Sequence, residues 1–284
     1  MARRPLSLLH PWLYALRVWQ RRCFTHIAWQ LGGLRLARTQ ALEPLKWRYF
    51  RHSSKLIRRL GDSDQALQLN KAINLKKALP SLDGILIEPG QTFSFCRLVG
   101  RPTRERGFVE GMELSFGRVR PGIGGGLCQI SNLIHWMALH SPLQVTARSP
   151  HSFDPFPDDN RVLPFGSGAA IFYNFIDLKL HNPTDQTFQL KLWMTDNTLE
   201  GDLRSNQAPQ HKYHVYEKNN GFARHDGAVW RRNEIWRTTH TKGHLPVQVE
   251  ERCLYKNNVR VMYAVPEDQM QNSHPPHGFW PASR

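Results

Sequence analysis

"PGIGGGLCQISNLIHW", residues 121–136, sets three consecutive glycines directly before a cysteine and an apolar pattern directly after it. From Cys128 onward Ile130, Leu133, Ile134, Met137 and Ala138 fall at helical spacing. That spacing predicts a helix running to about His140 and ended by Ser141–Pro142. Cys128 then sits in the first turn, where unpaired backbone N–H groups and the positive end of the helix dipole stabilise an anion. A cysteine so placed is expected to titrate below the usual value of about 8.5. Gly124, Gly125 and Gly126 supply positive φ and remove side-chain bulk, so a substrate carbonyl could approach the sulfur and meet backbone donors. Two plainer readings stand beside this one. The glycines could cradle a phosphate, although the Gly-Lys-Ser/Thr of a P-loop is absent, or they could form a tight turn next to a buried cysteine.

A thiolate nucleophile needs a base. "ARSPHSFDPFP" (147–157) carries His151 just after the strand-like "LQVTA" (143–147) and close to Asp154. A cysteine on a helix, then a histidine at a strand end, then an acid or amide on a later strand is an order used by several cysteine acyl-transfer folds. His135 and His140 lie on the predicted helix away from its first turn and read as structural or surface residues. Cys96 reads as a small core or edge residue. Cys23, Cys96, Cys128 and Cys253 are widely spaced and form no Cys-x-x-Cys pair, which suits neither a disulfide framework nor a zinc site. No metal and no cofactor is expected.

Around this element the chain is read as α+β: N-terminal helices, a nucleophile-type helix packed on an antiparallel sheet, and further C-terminal β-strands. "DSDQALQLNKAINLKKALPSLDG" (62–84) predicts a helix with Asp62 or Ser63 as cap, Pro80 as stop and a buried stripe of Ala66, Leu69 and Ile73. "TFSFCRLVG" (92–100) reads as a strand. "AAIFYNFIDLKLHN" (169–182) and "QTFQLKLWMT" (186–195) read as the two arms of a hairpin. Further strands are expected near 211–217, 228–238 and 247–263, and the tail from Pro266 as loose. The expected organisation is a basic amphipathic arm (1–60), a central domain (61–205), a β extension (206–265) and a tail (266–284).

The chain of 284 residues carries a net charge of +15. Residues 1–60 hold 13 Lys and Arg against the single acid Glu43, a net +12, which leaves only +3 for the rest. Charge confined to one arm, with no recognisable reading module, argues against a nucleic-acid partner. Leu9, Leu13, Leu16, Trp19, Cys23, Ile27 and Leu31 follow a helical period with Arg17 and Arg21 on another face. A basic, Trp-rich amphipathic helix of this kind suits either an anionic membrane surface, through residues 1–31, or packing on the protein's own core. Neither a cleavable signal nor a spanning segment of roughly 18 apolar residues is evident. A cytoplasmic or peripheral-membrane location is expected rather than secretion.

Four blocks together carry a resemblance: Pro89–Phe95, Gly124–Gln129, Arg148–Ser152 and Asp177–Asn182. They resemble the Pro-Gly-Glu-Thr-Phe-Ser-Phe, Gly-Gly-Gly-x-Cys-Gln, Arg-x-Pro-His-Ser and Asp-x-x-x-x-Asn runs of the VanW family, named for an accessory protein of vancomycin-resistance gene clusters. The resemblance implies cell-wall work, and for some members a cysteine L,D-transpeptidase activity on peptidoglycan stem peptides or precursors. It implies Cys128 as nucleophile and His151 as its base; Asp177 or Asp154 is read as a substitute orienting acid, a role that the resemblance itself does not assign. Gly124, Gly125, Gly126, Gln129 and Ser152 would be binding positions. An alternative implication is a non-catalytic accessory that binds peptidoglycan or its precursor. The chain departs from the family pattern at Gln91, at Cys96, and at Gly168, where many members carry an aspartate.

Overall fold

The computed structural model describes residues 10–57, 65–115, 118–151, 153–154, 157 and 162–270. In chain order its elements are α1 (Pro11–Leu31), β1 (Trp47–Lys55), α2 (Gln65–Ala78), β2 (Leu86–Ile87), β3 (Thr92–Ser94), α3 (Phe95–Val99), β4 (Glu110–Ser115) and β5 (Arg118–Ile123). There follow α4 (Cys128–Leu139), β6 (Gln144–Ala147), β7 (Phe153–Asp154), β8 (Lys179–His181), β9 (Phe188–Met194), β10 (Thr198–Ser205), β11 (His211–His225), β12 (Ala228–Thr241) and β13 (Gln248–Val261). The α+β class and the mainly antiparallel sheets are as expected from the sequence. Two four-stranded sheets, β1-β10-β9-β2 and β11-β12-β13-β7, are joined by the three-stranded β3-β8-β6 and the hairpin β4-β5.

Helix α4 contributes to both hydrophobic cores. Ile130, Leu133, Ile134 and Met137 are buried with Phe188, Leu190, Leu199 and Leu203 of the first sheet. Burial of each such side chain is worth about 1.5–3 kcal/mol. The helix approaches β10 at Gly201, where an added Cβ would fall 2.8 Å from Met137 Cε and 2.9 Å from Leu133 Cδ2. On its other side Trp136 and Leu139 pack with Val215 and Ile235 of the C-terminal sheet. Residues 47–55, read from sequence as part of the basic arm, are an edge strand of the first sheet, paired antiparallel with β10.

Three local expectations are corrected. Residues 92–100 are not one strand: β3 ends at Ser94, whose hydroxyl accepts from the Arg97 N–H and starts the short helix α3. The buried face of α2 is Gln68, Lys71, Asn74, Leu75 and Ala78, whereas Leu69 and Ile73 are exposed. The reason is polar. Asn74 Nδ2 donates to the Val109 and Gly125 carbonyls at 3.0 and 2.9 Å, and Val109 N–H donates to Asn74 Oδ1 at 2.9 Å. Asp62 and Ser63 lie outside the described residues. The 169–182 and 186–195 segments form no hairpin, because β8 pairs with β3 and β6 while β9 pairs with β10 and β2. Its first half is a turn, closed by a Phe172–Ile176 bridge with Asn174 at φ 61°.

The C-terminal sheet grips the segment that follows His151. Strand β7 runs parallel to the end of β13, with Val261 opposite Asp154. Asp154 and Arg231 form a buried ion pair at 3.3 Å, and Tyr263 donates to the same carboxylate oxygen at 3.0 Å. The Arg231 guanidinium also stacks on Phe165 and Phe222. Removing one member of a buried pair leaves an uncompensated charge, at a cost of about 3–5 kcal/mol. Asp154→Ala is therefore expected to lower the unfolding free energy by about that amount in urea titrations. A loss below about 1 kcal/mol, the range of an exposed pair, would show that the pair does not hold this segment.

Candidate active site

Helix α4 begins at Cys128 itself. The turn before it uses positive φ at Gly124 (78°) and Gly126 (94°), conformations that glycine adopts freely. Gly125 is required for space, since a Cβ there would lie 2.2 Å from the Gly111 carbonyl carbon of β4. Not every amide of this turn is open to a substrate. Gly124 N–H donates to Val109 at 3.0 Å and Gly125 N–H to Gly122 at 2.9 Å. The N–H groups of Gly126 and Leu127 have no acceptor among the described residues. The donors that a developing oxyanion could meet are thus those of Gly126 and Leu127, at the end of the glycine run.

The segment from Gly166 to Ile171 lies along α4 as a strap. Ala169 N–H donates to Asn132 Oδ1 at 2.6 Å, and Ser131 Oγ donates to the Ala169 carbonyl at 2.6 Å. Ile171 N–H points at Cys128 Sγ at 3.4 Å. His135 Nδ1 lies 2.8 Å from the Ser167 carbonyl, which can only accept, so this nitrogen carries the proton. Its Nε2 then accepts from the Tyr255 hydroxyl at 2.9 Å. Arg148 Nε donates to the Gly168 carbonyl at 2.7 Å, its guanidinium reaches the Gly166 carbonyl as well, and it stacks over the Tyr255 ring at 4.1 Å. Cys128, Asn132 and His135 share one face of α4 at spacings of four and three residues. His135 is buried and structural; burial and the nearby Arg148 charge push its pKa down to about 3. His140 is buried too, stacked on Phe50.

The lowered thiol pKa expected from the helix terminus is not what the site produces. Burial pushes the Cys128 thiol up, the Glu113 carboxylate on β4 adds to this, and the Ile171 N–H works in the other direction without cancelling them. The residue is nonetheless only half-buried by its surface. The strap lies against the sulfur itself, with the Ile171 N–H at 3.4 Å.

His151 lies beside the strap, at Gly168. A Cβ on Gly168 would stand 3.6 Å from His151 Cδ2 and 3.0 Å from Asn132 Oδ1. Position 168 therefore lies between the imidazole and a residue one helical turn from Cys128. Asp177 accepts from Ser94 Oγ at 2.6 Å and from the Cys96 N–H at 2.9 Å, which places it at the start of α3. Burial pushes its carboxyl up. Asp154 is held by Arg231, as described above. Gln129 Nε2 donates to Ser54 Oγ at 3.0 Å and to the Lys55 carbonyl at 2.9 Å, tying α4 to β1. Ser152 lies outside the described residues. Among the described residues, no group of three or more His, Cys, Asp or Glu is placed to hold a metal ion. Sequence reasoning missed Asn132, Arg148 and Glu113 as site residues. Asn132 could have been found at four residues from Cys128, whereas Glu113 reaches the thiol only through the β4-β5 hairpin.

The geometry defines an α+β protein with a cysteine in the first turn of a helix whose side chains enter two hydrophobic cores. A family model described as VanW like protein matches residues 70–204. Over 267 residues the chain is 31% identical to the vancomycin B-type resistance protein VanW of Enterococcus faecalis (strain ATCC 700802 / V583), covering 94% of this chain and 97% of that protein. It is also 25% identical over 125 residues to the uncharacterized protein YoaR of Bacillus subtilis (strain 168), covering 43% of this chain and 39% of that protein. No solved structure matches the chain. The chain belongs to the VanW family of vancomycin-resistance proteins.

Two substitutions test the electrostatics of the thiol. Glu113→Gln removes a charge that raises the Cys128 pKa, so the pH midpoint of Cys128 alkylation should fall. Gly168→Asp sets a carboxylate beside His151 at the expense of a shift of a few tenths of an ångström at Asn132. It should favour the imidazolium and move the same midpoint down. Site-resolved alkylation against pH reads both, and midpoints equal to wild type would remove Glu113 and His151 from the thiol's environment.

Proposed function

We propose that the protein is a cysteine acyl-transferase of the L,D-transpeptidase kind, acting on peptidoglycan stem peptides or their precursors. The observation that carries this reading is the half-buried Cys128 at the start of α4, with the Gly126 and Leu127 N–H groups uncommitted beside it. Because the thiol is held protonated, its proton passes to His151 as the sulfur attacks the peptide carbonyl. The carbonyl oxygen takes the negative charge and is met by the two free amides. Collapse of the tetrahedral adduct breaks the C–N bond, and the leaving amine takes the proton from His151. An acceptor amine then attacks the thioester, gives its proton to His151, and the thiol is restored when that proton returns to sulfur. Family membership supports the substrate class.

A second reading is favoured by the raised thiol pKa and by glycine at position 168: an accessory that binds peptidoglycan or its precursor without turning it over. Intact-mass measurement of the protein incubated with a stem peptide and an acceptor amine separates the two. The acyl-transferase gives a thioester on Cys128 and a cross-linked product. His151→Ala should slow both by about 100-fold or more, the scale of general base catalysis, and Cys128→Ser should abolish them. Stem-peptide binding that Cys128→Ser leaves intact, with no thioester in the wild type, would establish the accessory instead.

A further inference from the structure

We propose that α1 is an interfacial helix that lies in the surface of an anionic phospholipid bilayer. One face of the helix is already used. Val18 and Trp29 are buried, Thr25 Oγ1 donates to the Asn174 carbonyl at 3.2 Å, and Asn174 Nδ2 donates to the Arg22 carbonyl at 3.2 Å. Arg97 of α3 stacks on Trp29. These contacts fix the rear of α1 to the 172–176 turn and to α3. Each residue of an α-helix advances about 100° around the axis, so Leu16, Ile27 and Leu31 fall roughly opposite this face, and Trp12 and Trp19 fall to one side of it. All five are 50–80% exposed, and nothing else in the described chain covers them.

Charge says what covers the stripe. Helix α1 contains no Asp or Glu, and Arg17 and Arg21 both lie on one side of the stripe, between it and the packed face. Together with Lys179 of β8 they line an open groove of about 480 Å³ beside the helix. This groove lies between the helix and β8, beside the stripe rather than on it, and has three cations and no acid among its lining residues. Pairing of this face with a second copy would bring two sets of arginines together with no carboxylate on either helix to offset them. Lipid phosphates offset them directly, while Trp and Leu side chains enter the acyl boundary. Insertion across the bilayer is a different matter: no helix among the described residues is long and apolar enough to cross a membrane.

Flotation of the full-length protein tests this, with phosphatidylcholine vesicles containing about a third phosphatidylglycerol and with pure phosphatidylcholine vesicles. The protein should float with the anionic vesicles, weakly with the neutral ones, and less at about 0.5 M salt, where the Debye length falls to a few ångströms. Trp19→Glu/Ile27→Glu should reduce anionic-vesicle binding at least tenfold while the melting temperature stays at the wild-type value, since both side chains are exposed. If that variant melts early, Trp12→Ser/Leu16→Ser serves the same purpose with a milder change. Arg17→Gln/Arg21→Gln should weaken binding several-fold and flatten its salt dependence. Wild-type flotation by both apolar variants overturns the proposal, as does equal binding to neutral vesicles. A wild type that stays off vesicles and sediments as a dimer dissociated by Trp19→Glu also overturns it, and assigns the stripe to a second copy.

Discussion

The backbone of Gly125 rests directly on the backbone of Gly111. A Cβ on either residue would collide with the other, at 2.2 Å from the Gly111 carbonyl carbon in one direction and 2.5 Å from the Gly125 oxygen in the other. This contact lets the β4-β5 hairpin lie against the turn that launches α4. Asn74 of α2 bonds to the chain on both sides of it. Because side chains are excluded here, the first residue of α4 has one available location, and the thiol of Cys128 inherits it. Glu113 on the same hairpin comes within electrostatic range of the sulfur for the same reason. The glycine run is therefore needed mostly for packing, and only its last amides are left for chemistry.

The supports of the site extend past the central domain. Tyr255 of β13 holds Arg148 and His135, Arg231 of β12 holds Asp154, and Trp136 and Leu139 of α4 are buried against Val215 and Ile235. A family model ending at residue 204 leaves all of these partners outside. The alignment with the Enterococcus faecalis protein, which covers 94% of this chain, includes most of them. The strap over Cys128 and the segment carrying His151 are thus built by two sheets together. A version of the chain cut near residue 205 would expose the second core and strip the segment carrying Asp154 of both its paired strand and its cation.

The helix at Cys128 was legible because its apolar residues repeat at helical spacing on both sides of a single burial face, and because glycine and proline mark its ends. The strands of the C-terminal sheet were legible by alternation, apart from their full lengths. What failed to show in the sequence are places where a polar residue does the burying. Asn74 faces inward on α2 because backbone groups of another segment need partners, and an apolar-stripe search picks Leu69 and Ile73 instead. The alternation in 169–176 belongs to a turn because Asn174 adopts the left-handed region, which a two-residue period cannot express. The sign of the thiol's shift was misread for a related reason. A helix terminus is local and visible in sequence, whereas the desolvating strap comes from residues some forty positions downstream.

These facts bear on how such a site could run. A resting thiolate–imidazolium pair needs the thiol below the imidazole in pKa, and here burial and Glu113 act against it while no carboxylate stands at position 168 to favour the imidazolium. Each pH unit of mismatch costs about 1.4 kcal/mol if the ion pair must form first. That cost is avoided when proton transfer accompanies attack, so that charge appears on the carbonyl oxygen, near the Gly126 and Leu127 amides, and never rests on sulfur. Under the proposed acyl transfer the histidine would take the thiol proton as a neutral base. The thiol would also be slow toward reagents that capture preformed thiolates. A cysteine kept quiet until a carbonyl is in place is protected from adventitious oxidation, since oxidation, like alkylation, begins with the thiolate.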